Sequence, residues 1–547
     1  MQLGHKTSKI NKRYIQGHKM RKHSMIKHIF VCLIILLSPL ELADSTLITV
    51  EQNESLQAAI YGANPGDTIL VNAGTYHENL YLNKSLILQG VGMPVIDGNG
   101  KDQVITLASG DSSLIGFIIK NSSKSSENDG GIIISSNNNT IKRNIVENSS
   151  SAIFLSNCSN NTMDSNKAIY NDYGIFLNVS DNNTIIQNNF LFNNKNGINL
   201  KSSESNAFMQ NNASLNIRHG INIEKSSFNT FKDNNINLNS GRGINIGGSF
   251  FNIFTNNSVG FNKDPKGYGI YLYDSRENII SKNIIQYNDG VGIKIFNSTD
   301  SFFLDNNISN NKKIGFEMDT GNKDIIADNT VSNNWEIGIS LKNLKNGLII
   351  GNDIVCSQIS LVLIESNGNI LQKNNASYNN ISAISIESSL NNTIVANFAR
   401  YNLNGFIFLN SKNNNIVNNI ISNASAAIAA QSSSNNILLN NNLSCSKIGL
   451  YLNRSNTNQI AENELHKNVV GIALNLSANN SFEKNYLSNN KYSLLANSNE
   501  AISENGIWKE AIISENLERY LLEHDKVIIG SKDTFVHKSK NKSTKKK

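Results

Sequence analysis

Three charged and four aromatic residues recur at fixed distances in the middle of this chain. Lys294 stands 23 residues before Glu317, and Asp319 follows Glu317 by two. Tyr271 precedes Lys294 by 23 residues and Tyr273 precedes Phe296 by 23, with Tyr268 just upstream. On an extended backbone, residues two apart share a face, so Glu317 and Asp319 fall within the several-ångström separation that glycoside-cleaving acid pairs use. Lys294 could instead serve a lyase, neutralising a uronate carboxylate or, with a lowered pKa, abstracting a proton. Aromatic platforms beside polar groups suit sugar rings, which offer an apolar face and a hydroxyl rim. Glu317, Asp319 and Lys294 are therefore the catalytic candidates, and Tyr271, Tyr273, Phe296 and Tyr268 the ligand-binding ones. The plain alternative is a solvated sheet face in which Lys294 and Glu317 pair across coils and merely stabilise it.

Metal and cofactor chemistry find no such grouping. Beyond the first 43 residues the histidines are His77, His219, His466, His524 and His537, one at a time, and no Cys-x-x-Cys occurs. Neither a metal site nor a cofactor is expected on ligand grounds. The net charge of +6 misleads, because the first 28 residues contribute +8 and residues 531–547 another +6, leaving the body near −8. A nucleic-acid partner would need a basic face on the folded part, so none is expected.

The elements that position these residues are announced by a four-residue mark, Gly-Ile-x-Leu in its cleanest form. It returns every 22 or 23 residues, at Gly131, Ala152, Gly174, Gly197, Gly220 and Gly243, and onward from Gly269 through Gly471 to Ser493. Between marks, runs of three or four residues alternate apolar and polar side chains, separated by Asn, Ser, Asp or Gly, and no window carries a helical period. A unit of three short strands stacked on its own copies follows, and crossovers between parallel strands are right-handed. The expected fold is an all-β, right-handed parallel β-helix, its repeat section about 75–80 Å long at roughly 4.8 Å per coil. A leucine-rich repeat has a similar period but demands a Leu-x-x-Leu-x-Leu pattern, where this chain uses Ile, Phe and Asn.

Asn makes up about a fifth of the chain. It suits left-handed turn positions and, stacked in register, can form side-chain ladders. Ile198, Ile221 and Ile293 are expected inward. The residues two and four after each mark point outward, so Tyr271, Lys294 and Glu317 form one row and Tyr273, Phe296 and Asp319 a second. The coil from Gly243 to Gly269 is lengthened to 26 residues around Lys263–Lys266, and solenoid insertions tend to mark the binding face. Cys356 and Cys445 occupy equivalent sites four coils apart, too far for a disulfide, and are expected to be buried.

The ends read differently. Residues 1–43 combine a basic stretch, the apolar run Ile29–Leu37 and a small-residue site at Ala43, the layout of a signal peptide and the only membrane contact expected. Residues 44–130 hold an N-terminal cap and the first coils, with a helix over Ser55–Tyr61 stopped by Gly62. The repeats run to residue 500, a second helical cap is expected within 501–530 from Glu510 to Leu522, and 531–547 form a basic tail.

The stretch Asn64-Pro-Gly-Asp-Thr-Ile-Leu-Val, then Ala73-Gly-Thr-Tyr-His-Glu78, Lys84-Ser-Leu-Ile-Leu-Gln-Gly90 and Val95-Ile-Asp-Gly98, resembles the opening of NosD-type, pectin-lyase-like β-helix proteins. This family is also described as carbohydrate-binding and sugar-hydrolysis repeats, and Asn-rich archaeal surface proteins are similar in organisation. The resemblance implies a secreted, surface or periplasmic β-helix in one of three roles. These are binding a polysaccharide or envelope glycan or serving as a structural rod, cleaving a polysaccharide as a lyase or hydrolase, and assisting copper-enzyme maturation. The chain lacks the paired Asp-Asp and Gly-His-Gly elements of β-helix hydrolases, which leaves catalysis open, as it does oligomeric state.

Overall fold

The computed structural model describes residues 45–263, 267–496 and 511–513. Within them the chain winds as a right-handed parallel β-helix, every strand pairing in parallel with its counterpart one coil away. A typical coil contains Thr184–Ile186, Asn189–Leu191 and Ile198–Lys201, with Ile185, Phe190, Ile198 and Leu200 fully buried inside. Ile221 and Ile293 are likewise inward and buried. These short segments contribute a first, a second and a third sheet, and each mark from Gly131 to Ser493 enters or immediately precedes one strand of the third.

Gly at the mark serves close approach rather than a turn. A Cβ on Gly174 would lie 2.4 Å from the Gly197 carbonyl oxygen, and its φ is not left-handed. Ala152, Ala383 and Ala427 stand at the same place in other coils, so the space is tight but not uniform.

The asparagines serve at the left-handed turns, as expected, and also inside. Left-handed corner positions hold many residue types, among them Lys282, Gln187, Phe192 and Tyr170. The residue after the corner is the one that is commonly Asn, and it is buried. Asn188 is typical: its N–H and side-chain amide both donate to Asn211 Oδ1 at 3.0 Å, and the amide also reaches the Met163 carbonyl at 2.9 Å. Repeated coil after coil, these ladders satisfy the polar backbone at each bend, where a buried unpaired N–H would be costly. Apolar side chains stack in the same way, Phe208 on Phe231 and Phe231 on Phe254 at 4.7 and 4.8 Å.

The start of the rod is closed by α1 (Leu56–Gly62), which buries Leu56 and Ile60 and is capped by Ser55. Glu78, from the Gly-Thr-Tyr-His-Glu stretch, accepts hydrogen bonds from the N–H groups of Leu56 and Gln57, both at 2.9 Å. Asp67 accepts from the N–H groups of Asn64 and Thr46 at 2.7 Å, and these two donors hold its carboxyl below the usual range. The opening motif therefore builds the cap.

Two expectations are corrected. Ala511–Ile513 is a strand paired with Leu494–Ala496, not the start of a helix over Glu510–Leu522, because the stacking edge of the third sheet still accepts a strand there. The remainder of that predicted helix, the signal segment and the basic tail lie outside the described residues. Cys356 and Cys445 are exposed rather than buried. They occupy left-handed corners, φ 56° and 53°, whose side chains point out, and the inward site is the next residue. Among the described residues no helix is long and apolar enough to cross a membrane.

Candidate functional site

Strand register brings the sequence candidates together. Tyr271 lies opposite Lys294 and Tyr273 opposite Phe296. On the next coil Lys294 faces Glu317 and Phe296 faces Asp319. All six project from the outer face of the third sheet, on strands Ile270–Tyr273, Ile293–Thr299 and Phe316–Asn322. Along the first outward row the side chains are buried at Phe154 and Phe176 and again at Val362, Ile407 and Tyr451. From Tyr271 through Ser340 the row is half-buried.

At the upstream end of this window three tyrosines form one cluster. The ring centroids of Tyr268 and Tyr271 are 5.5 Å apart, and those of Tyr271 and Tyr273 are 5.3 Å apart in a stacked pair. Burial raises the Tyr271 hydroxyl above its ordinary pKa, against the opposing pull of Arg242. The Arg242 guanidinium lies 4.2 Å from the Tyr271 ring centroid and 5.6 Å from that of Tyr268, a cation–π arrangement. Arg242 also donates to Asn245 Oδ1. Asn245 in turn donates to Asn222 at 2.7 Å and Asn222 to Asn199 at 2.9 Å, an amide ladder leading up to the aromatic cluster.

Sequence reasoning missed Arg242, although its signal was present. The residue just before each mark reads Asn196, His219, Arg242 and Tyr268 in successive coils, a row adjoining the two that were followed. Each is tied to the next: the His219 N–H donates to Asn196 Oδ1 at 3.2 Å, and the Arg242 N–H donates to His219 Nδ1 at 3.1 Å. That second bond makes Nδ1 an acceptor and so places the proton of a neutral ring on Nε2.

Gly247 is a second residue the pattern undervalued. A Cβ there would meet the Tyr273 ring at 2.1–2.6 Å, so the tyrosine rests on the backbone of the preceding coil. Because the clash is with the tip of a movable side chain, Gly247→Ala should fold while pushing Tyr273 off Tyr271. The expected result is altered tyrosine fluorescence and weakened ligand retention at unchanged circular dichroism. Unchanged fluorescence would show that Tyr273 does not need this seat.

The charged candidates are engaged with each other. Lys294 Nζ lies 2.5 Å from Glu317 Oε1, with the two side chains 17% and 27% exposed. Asp319 accepts a long bond from Asn343 Nδ2 at 3.4 Å and one from the Thr320 hydroxyl at 3.4 Å. The ion pair neutralises both partners and favours positioning over proton transfer.

Three coils are lengthened rather than one, the first of them the 25 residues from Leu80 to Ile105. The register of Ile244 with Ile270 confirms the 26-residue coil, of which residues 264–266 lie outside those described. A longer one precedes the first mark, where Ile105 pairs with Ile132 and the surplus surrounds Ser122–Asp129. Its Glu127 accepts from the Tyr173 hydroxyl at 3.2 Å and pairs with Lys195 at 3.6 Å. Tyr173 packs with Ile133, Phe154 and Phe176 in a buried cluster, and the outward row stays buried through Asn199, Asn222 and Asn245 as far as Tyr271.

The family model of the periplasmic copper-binding protein NosD matches residues 65–263, 192–337, 251–383 and 335–520. The chain belongs to the NosD family. That family is periplasmic by its description, which agrees with the export expected from the N-terminal segment. No curated protein matches the chain in sequence. Among solved structures, the PL6 alginate lyase AlyGC is 11% identical with a TM-score of 0.40, over 86% of this chain and 99% of its own. The periplasmic alginate epimerase AlgG is 12% identical at 0.33, over 65% and 76%, and the pectate lyase Pel9A 16% identical at 0.28, over 47% and 70%.

Proposed function

We propose that this NosD-family protein is an envelope β-helix that binds a polysaccharide along the outer face of its third sheet. The observation that supports this is the cluster of Arg242 with Tyr268, Tyr271 and Tyr273 at the head of the half-buried row. Stacked phenol rings offer sugar faces a platform, and a guanidinium held over them offers a fixed charge to a carboxylate or sulfate. The buried amide ladder through Asn245, Asn222 and Asn199 anchors Arg242 beneath this platform. An acidic glycan therefore fits better than a neutral one.

Copper, which the family description names, is a poorer fit. Among the described residues no group of three His, Cys, Asp or Glu side chains gathers as a metal site would require. Cys158 and Met163, in one coil, and Met318, several coils on, are all buried and enclosed by the apolar interior.

The test is retention on immobilised polyuronates and neutral glycans. Tyr271→Ala with Tyr273→Ala should abolish retention on the acidic polymer while the circular-dichroism spectrum stays that of the parent. Retention equal to the parent's would dispose of this reading. Release of unsaturated or reducing sugar by the parent protein would replace binding with catalysis.

A further inference from the structure

At the corner that follows the second sheet, six consecutive coils carry Tyr170, Phe192, Leu215, Leu238, Phe261 and Tyr287. All six are in the left-handed region, with φ from 56° at Phe192 to 61° at Leu215. Bulky side chains disfavour that conformation, and Asn and Gly tolerate it best. All six are also exposed, from 37% at Leu215 to 59% at Tyr170. The coils on either side place Asn148 and Asn310 at the same corner in the same backbone conformation. The fold therefore closes this bend without an apolar side chain, and six in succession are not needed for stability.

The six side chains make a straight ridge spanning five coil intervals, about 24 Å. Tyr170 stacks on Phe192 at 5.8 Å and Phe261 on Tyr287 at 4.9 Å, while Ile217 and Ile284 extend the apolar surface to each side. Cations border it: Lys167 on one flank and Arg218 and Lys263 on the other, while Lys195 is engaged by Asp172 and Glu127. Of the carboxylates beside it, Asp172 pairs with Lys195 at 3.5 Å and Asp289 with Lys312 at 2.7 Å. On a body whose net charge is about −8, a cation-edged apolar line is a local departure.

We propose that this ridge docks the rod onto an anionic lipid bilayer. The six apolar side chains enter the headgroup boundary, and the flanking Lys and Arg side chains meet lipid phosphates. The shape favours this occupant: the ridge is convex and one side chain wide, so a deformable lipid surface can close around it. Two such edges meeting would bury less than a stable dimer needs. This contact is additional to any made by the N-terminal segment.

The test compares the full chain with a variant carrying Phe192→Asn, Leu215→Asn, Leu238→Asn and Phe261→Asn. Asn occupies this corner in other coils, so the variant should fold, which circular dichroism and a melt verify. Both proteins carry the same N-terminal apolar run and basic tail, so their difference isolates the ridge. The parent should sediment with phosphatidylglycerol-rich vesicles more than with phosphatidylcholine ones, and less as salt rises. The variant should lose about tenfold or more of that binding. Equal partition of the two proteins, or a parent that stays soluble with anionic vesicles, overturns the proposal. A parent that dimerises and ignores vesicles, beside a monomeric variant, reassigns the ridge to a contact between copies.

Discussion

Replacing Asn234 by leucine should destabilise the rod by about 2–5 kcal/mol, whereas Asn189→Leu, on the surface two coils away, should change it by no more than about 0.5 kcal/mol. The side chain of Asn234 is buried and its Oδ1 accepts from the N–H of Asn211 at 2.9 Å and from that residue's side-chain amide at 3.1 Å. Its own amide donates to the Phe208 carbonyl at 3.0 Å and to Asn257 Oδ1 at 2.9 Å. Leucine offers none of these, so the Asn211 N–H is left in the interior with no acceptor, at about 1–3 kcal/mol for each such group. Because a solenoid couples mainly to its neighbours, the loss should appear first as faster hydrogen exchange in the coils around residues 208–260. Equal effects of the two substitutions in a denaturant titration would show that the ladders are not what holds the bends.

Asp324→Asn should raise the melting temperature at pH 9 by several degrees and leave it nearly unchanged at pH 4. Asp324 stands in a ladder column that holds Asn278 and Ser301 in the preceding coils. Its carboxyl accepts from the Ser301 N–H at 2.9 Å and the Asn322 N–H at 3.0 Å, both of which favour the ionised form. Burial outweighs them and pushes the pKa up to about 8 from the ordinary 3.8. The folded protein thus keeps a proton that the unfolded chain releases between about pH 4 and pH 8. Stability must fall across that window and is lowest above it. Asparagine stays neutral throughout and restores the donor that the column otherwise supplies. A gap between the two melting curves that is the same at pH 4 and pH 9 would mean that this carboxyl does not titrate there.

The fold was legible because its repeat is longer than any local accident and each mark carries the same inward pair. Ile198 with Leu200 and Ile221 with Ile223 have identical roles one coil apart. The outward rows followed from the same alternation, which is why Tyr271, Lys294 and Glu317 were correctly aligned before any coordinate was known. The corners were harder. Cys356 and Cys445 were expected inward because a free cysteine outside disulfide reach behaves as a small apolar residue. A left-handed residue turns its side chain out and passes the interior to the residue after it, and that geometry leaves no trace in hydrophobic spacing. The aromatic ridge escaped notice for the same reason: Phe192 and Leu215 lie in a row that alternation alone does not define.

Taken by itself, the sequence determined the coil, its handedness, its register and the rows of residues on the third sheet. All of these follow from backbone periodicity, which every residue shares. Tertiary structure alone decided that Arg242 lies over Tyr271, that Gly247 seats Tyr273, that Lys294 is bound to Glu317, and that the outward row is only half-buried between Tyr271 and Ser340. Those depend on where long side chains come to rest and on which parts of a face are covered. Such contacts arise between residues from different coils, and the repeat places them near one another without specifying how they meet.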